Sequence, residues 1–473
     1  MTAAPMTESA RNLQAHSAIL GLLNVSVAFG IIFYFIGRYS IPTGVEEAVS
    51  LLLFVTIGTY SIIMFSQTSA QQGLSTQSLF WFFSLWFFFL APLTQYMVGD
   101  VEYAPLVGSR SLYLSIVLLW LIVFHFCYSR APQLKFLPAV LSDRGRHREI
   151  AWFNLIIIST ALSIWIVAYA ARYSYFILIL RLPDPSLIDG SLAAYLLTNL
   201  FARPGVVVAF LLAVLKIKHM KTRTWRDWMA TGYVFLLFCV TNFPTSQARF
   251  YVLAVAICFL MAILPRVSRN GLFTNVFLLT AMIGSSVFNL FRGIRQDYDI
   301  LERINFSYLH EGHFASFSNF GHVVNFVQEH GIRWGQQLLG SLFFWVPRGV
   351  WQDKPTGTAE FIVKEYLEWE QGLTFTNISM PAIAEFFIDF HIVGVVGGAA
   401  VFAVISANID RWSLVIDHSG SLNLRSVILT SYVTGLWLFI NRGDFQSAIA
   451  YTVGISLAVL FVVTVASRAR NAE

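Results

Sequence analysis

The sequence predicts an all-α polytopic membrane protein, and three observations predict it. Of its 473 residues 56% are hydrophobic and only 12% are charged, about half the charged share of an ordinary soluble domain. Apolar runs long enough to cross a bilayer recur along the whole chain. Those runs are continuous, without the residue-by-residue alternation that a membrane β-barrel needs. A soluble enzyme, a collagen-like fibre and a disordered chain are excluded by the same counts.

Taken in order, the apolar runs predict twelve spans, at 18–37, 48–65, 78–99, 111–129, 151–171, 191–215, 228–244, 249–264, 272–291, 382–405, 425–441 and 445–467. No small-residue cleavage site follows the first run, so the first helix is expected to be uncleaved. The segments after the fourth, sixth, eighth, tenth and twelfth spans are the strongly basic ones, among them Arg144, Arg146 and Arg148, then Lys216, Lys218 and Lys221. By the positive-inside rule both termini then lie in the cytoplasm. The chain 1–473 reads as one integral membrane domain with no internal repeat, and its one long hydrophilic excursion, 292–381, lies on the outer side between spans nine and ten. Within that loop, Phe317, Phe320, Val323, Val324 and Val327 are spaced for a helix lying at the membrane interface. Cys127, Cys239 and Cys258 all sit in apolar runs and form no metal or disulfide motif, so they read as small buried hydrophobes.

Sorted by side, fourteen basic residues fall on the outer face or just within it, and twelve of them are Arg. A planar fork that stays charged and holds two phosphate oxygens at once is the physical reason to prefer Arg there. An outward-facing site for a phosphate or pyrophosphate follows. Arg38, Arg110 and Arg303 are better read as partners of lipid phosphates or nearby acids. Arg249, Arg292, Arg295, Arg348 and Lys354 are the candidate clamp, with Arg203 and Arg442 behind them.

Arg203 interrupts an apolar run beside Pro204 and Gly205, which are expected to break the helix. It either faces a polar cavity or snorkels from near a helix end. In the run from Phe344 to Pro355, Pro347, Gly349 and Pro355 forbid a regular helix. Such a loop can offer Arg348 and Lys354 to oxyanions, with Trp351 as a flat face for a sugar and Trp345 as an interfacial anchor. Glu385 and Asp389, four apart at the start of the tenth span, share a helix face. Two carboxylates in so dry a place raise the proton affinity of at least one. Glu385 is the expected general base and Asp389 its tuning partner; Asp353, His313 and Asp444 stand in reserve. His310 and His313 lack a third ligand at regular spacing and read as surface histidines. No nucleotide or zinc motif is present, so neither a cofactor nor ATP is expected.

With these residues in view, the chain resembles the O-antigen polymerases, the Wzy-type oligosaccharide repeat-unit polymerases of bacteria. The stretch Val346-Pro347-Arg348-Gly349-Val350-Trp351-Gln352-Asp353-Lys354-Pro355 is similar to the family's Pro-Arg-x-x-Trp-x-x-Lys-Pro loop. Glu385-Phe386-Phe387-Ile388-Asp389-Phe390 with Gly394, and Ser246-Gln247-Ala248-Arg249, are further shared features. The chain departs from the Arg-x10-Gly pattern of some members, so no role passes to Arg172 or Arg181. The resemblance implies a GT-C-like glycosyltransferase in the bacterial inner membrane, working on the periplasmic side without a metal. It would join undecaprenyl-diphosphate-linked oligosaccharides, among membrane lipids and with a chain-length regulator as protein partner; nucleic acid is not expected. An O-antigen ligase is the first alternative, and a transporter or lipid-linked oligosaccharide flippase the second.

Overall fold

The computed structural model describes residues 8–37, 44–99, 108–134, 148–179, 192–284, 309–310, 312–367, 378–418 and 424–469. Among the described residues the secondary structure is helical, apart from one antiparallel pair of three-residue strands, β1 (Arg148–Ile150) and β2 (Ser467–Ala469). The helices are α1 (Glu8–Ile36), α2 (Val45–Gln72), α3 (Thr76–Val98), α4 (Arg110–Arg130), α5 (Trp152–Tyr173), α6 (Ala193–His219), α7 (Trp225–Thr241), α8 (Arg249–Ile263) and α9 (Gly271–Gly284). The excursion contributes α10 (Ser316–His330), α11 (Gln336–Leu342) and α12 (Thr358–Ile362), and the chain ends with α13 (Ala382–His418), α14 (Leu424–Arg442) and α15 (Phe445–Ala466).

Helices therefore stand at all twelve expected places. Among the described residues nine are long and apolar enough to cross a membrane, namely α1 to α6 and α13 to α15. That makes the chain a polytopic membrane protein. The shorter α7 and α8 have 17 and 15 residues, or about 26 and 23 Å of helix against a hydrocarbon core of about 30 Å. Lys218 at the end of α6 donates to the Ile263 carbonyl at the end of α8 at 2.5 Å, which levels those two ends. The shortfall is taken up at the other end, the face that carries the excursion. There loop 242–248 sits about 15 Å along α6 from its first residue.

Pro204 does not break α6. The turn before it widens into a π-helix, Leu197–Ala202, and α6 continues through the proline. The same device appears in α3, where π-helix Trp86–Leu90 precedes Pro92. A proline lacks the N–H of its turn and collides with the carbonyl four residues back, and a wider turn relieves both faults.

The break falls instead in α13, at Phe390 (φ −141°, ψ 15°) and His391 (φ 55°, ψ −144°). In a straight helix eight residues span about 12 Å. Here a Cβ on Gly394 would lie 1.9 Å from the Phe386 carbonyl oxygen, so segment 382–389 folds back on the helix that follows, and only glycine allows it. The Ile388 carbonyl takes the Arg333 N–H at 2.8 Å.

The excursion is packed into the bundle end. Every residue of α10 from Ser316 to Val327 is buried, so it is not an interfacial helix with one wet face. Phe314 stacks on Phe87 at 5.3 Å, and Phe317 meets Phe54 at 5.9 Å. Part of its polar side is met internally: Asn319 donates to the Ser379 carbonyl at 2.7 Å, and Asn325 accepts from the Tyr113 hydroxyl. The two histidines beside it are not surface groups either. His310 packs on Phe35 at 5.0 Å, and burial pulls its imidazole down to about 4. The His313 carbonyl takes the Nε of Arg442 at 2.9 Å.

Candidate active site

Segment 382–389 carries Glu385 to the start of α15. Its Oε2 accepts the Thr358 hydroxyl at 2.5 Å, and its Oε1 accepts the Phe445 N–H at 3.2 Å; Glu385 and Thr358 are both fully buried. Asp444, the N-cap of α15, lies against the same spot. It accepts the Ala359 N–H, the Ser447 N–H and the Ser447 hydroxyl at 3.2, 3.2 and 3.3 Å. Burial, reinforced by the nearby charge of Glu360, raises the Asp444 carboxyl above its ordinary value, against the pull of its donors. Two carboxylates thus share one helix N-terminus, whose partial charge of about +0.5 offsets only a fraction of theirs. Asp389 does not join them. It accepts the Gln337 and Leu338 N–H groups at 3.2 and 2.8 Å and holds α11.

The loop from Phe344 to Pro355 leads directly to this cluster, because Thr358 follows it by three residues. Lys354 is turned inward. It is 8% exposed, and its Nζ donates to the Phe344 and Val346 carbonyls at 2.8 and 2.9 Å. Burial and the Arg348 charge hold its ammonium below the ordinary value. Lys354 therefore staples the loop instead of facing an oxyanion. Arg348 is exposed, spends one Nη on the Lys354 carbonyl at 3.0 Å, and keeps the rest of its fork outward, beside half-buried Trp351.

A second group lies under loop 242–248. Arg203 is 1% exposed, so it neither snorkels nor reaches the surface. Its Nη1 meets the Ser246 hydroxyl at 3.4 Å, its Nη2 meets the Ile177 carbonyl at 3.0 Å, and its Nε has no hydrogen-bond partner. No carboxylate among the described residues neutralises it. Arg249, three residues past Ser246, opens α8 half-buried.

The two groups are neighbours. Next to Arg249, Phe250 stacks on Phe439 at 3.6 Å; Tyr451 meets both rings, at 5.2 and 5.6 Å. Phe439 is three residues before Arg442 and five before Asp444. One aromatic wall thus joins the start of α8, which Arg249 opens, to the end of α14, which leads into Asp444. Arg442 itself is engaged with His313. Arg292 and Arg295 lie outside the described residues, as do Arg38, Arg181 and Arg303.

Comparison of the chain with protein-family models, with curated proteins and with solved structures gives no match.

Of the residues expected from the sequence, Arg203 and Arg249 lie by loop 242–248, and Glu385 lies by Thr358, which follows the loop 346–355. The sequence misses Thr358, a plain threonine at a short helix start, and it offers Asp444 only in reserve. The available signal was Asp444 alone between two apolar runs, in the position of an N-cap.

Proposed function

We propose that the chain is a glycosyltransferase that polymerises undecaprenyl-diphosphate-linked oligosaccharide repeat units at the periplasmic face of the bacterial inner membrane. The observation that carries this reading is a buried guanidinium with no carboxylate beside it among the described residues, Arg203, and a carboxylate pair, buried Glu385 with half-buried Asp444, on elements that one aromatic wall joins. Transfer of a glycan from a lipid diphosphate to a sugar hydroxyl makes two demands. Negative charge grows on the departing diphosphate, and the attacking hydroxyl must lose a proton. Arg249 and Arg348, with the field of Arg203 behind them, answer the first demand. The carboxylate pair answers the second. A guanidinium fork holds two oxygens of a diphosphate together, which a lysine does not.

Deletion of the gene tests the activity. Lipopolysaccharide carrying a single repeat unit is the expected banding; core without any repeat unit would point to a ligase or a flippase. The sidedness has its own test. A cysteine at Gly312 should react with an impermeant reagent in cells with a permeabilised outer membrane, while one at Lys218 stays protected; the reverse pattern overturns the topology.

A further inference from the structure

We infer that Asp444, rather than Glu385 beneath it, is the carboxylate that takes the proton of the acceptor hydroxyl, and that Glu385 is a positioning residue for it. The inference rests on the polymerase reading above. Glu385 is sealed in: it is 0% exposed, and each of its oxygens is already met by a donor. Asp444 is half-buried in the two-residue link between α14 and α15, flanked by half-buried Gln446 and exposed Ser447. Its Oδ1 meets a single donor, Ala359 N–H at 3.2 Å, and so keeps a lone pair for another. A hydroxyl arriving from the excursion face therefore reaches Asp444 first.

Asp444 also touches the loop that carries Arg348. A Cβ on Gly357 would fall 2.4 Å from its carboxylate, so glycine alone lets that loop close on the acid. The group that takes the proton and the loop that holds a phosphate-binding fork are thereby in direct contact. Besides each other, the charged groups that act on the pair are Asp389 on α13 and Glu360 on α12, while Arg348, Lys354 and Arg442 are bonded elsewhere. The balance around the carboxyl itself is negative, with Glu385 nearest through the shared Phe445 turn. Burial first, and then these neighbouring acids, make Asp444 a stronger base than a lone aspartate. In the step itself, the acceptor oxygen bonds to the anomeric carbon while its proton passes to Asp444. The bond from that carbon to the diphosphate oxygen breaks, its electron pair leaves with the diphosphate, and Asp444 later gives the proton to water.

The test is the initial rate of glycosidic bond formation against pH. Purified protein in proteoliposomes is supplied with an undecaprenyl-diphosphate-linked oligosaccharide, and wild type is compared with Asp444→Asn, Asp444→Glu and Glu385→Gln. Asparagine is as good an N-cap as aspartate, so α15 should survive the first change. Asp444→Asn should lower the rate by about 10²- to 10⁴-fold at every pH. Asp444→Glu should restore part of it. Glu385→Gln should keep measurable transfer with its acidic limb moved to lower pH, since the like charge is gone. A wild-type rate in Asp444→Asn, or an unmoved limb or complete loss of transfer in folded Glu385→Gln, overturns the assignment while leaving the polymerase reading intact. If Asp444→Asn fails to accumulate, the Glu385→Gln limb decides. No transfer by the wild-type protein removes the polymerase reading and this inference together.

Discussion

Helix α13 carries a buried carboxylate near each end, and the two are held in opposite ways. Near its far end, Asp410 accepts the Thr76 and Gln77 N–H groups at 2.7 and 3.1 Å and the Tyr128 hydroxyl at 2.9 Å. One carboxylate meets one helix N-terminus, that of α3, and a full set of donors surrounds it. At the near end two carboxylates, Glu385 and Asp444, crowd the N-terminus of α15. Each acid has its donors, but Asp410 has a helix N-terminus to itself whereas Glu385 and Asp444 share one. A structural acid stands alone among its donors, and a working acid is marked here by a second carboxylate beside it.

Exchanging acid for amide at both ends is the sharpest way to break this contrast. Asp444→Asn should abolish most transfer while the protein stays folded, whereas Asp410→Asn should leave the transfer rate near wild type. Equal losses of transfer in the two variants would erase the distinction. Next in size, Arg348→Ala and Arg249→Ala should abolish polymerisation without loss of expression, and the Lys variants should recover only part of it, because the fork is gone. Full activity of both Lys variants would show that paired oxygens are not held at either place.

Smaller effects concern stability. Asp410→Ala leaves the Thr76 and Gln77 N–H groups at the start of α3 without their acceptor, about 1 kcal/mol, and takes one partner from the half-buried Tyr128 hydroxyl, so the purified protein should melt at lower temperature. Asp444 should show the reverse dependence of a raised acid. Its folded form holds the proton more tightly than the ordinary 3.8, so its share of stability is full below that pH and is lost as pH rises through the raised value. Melting temperature should therefore fall over that window, and less steeply in Asp444→Asn. A further pH effect is at His310, whose imidazole is lowered to about 4 from 6.5. Being held neutral, it should lend stability that is present above 6.5 and lost as pH falls toward 4; His310→Gln should flatten that slope.

The apolar runs made the helices legible, since a bilayer leaves a chain few other options. Where the sequence misled, the reason was a turn chosen by packing. Pro204 reads as a break, yet a π turn absorbs it. Glu385 and Asp389 read as a pair because four residues make one helical face; the reversal at Phe390 and His391, with φ at 55° for a histidine, has no local signature. Asp389 was instead drawn to the backbone of α11. Lys354 reads as an outward cation, and only the folded loop shows that two carbonyls hold it. Asp444 stands 59 residues from Glu385, a distance that spacing rules do not bridge.

Reconstitution tests the central claim most directly. Purified protein in proteoliposomes, given a lipid-diphosphate-linked oligosaccharide on the face that carries the excursion, should yield lipid-linked dimers and longer oligomers, with one undecaprenyl diphosphate released per bond formed. Movement of the intact lipid-linked oligosaccharide across the bilayer with no new glycosidic bond, or transfer only to a lipid A core acceptor, would contradict it.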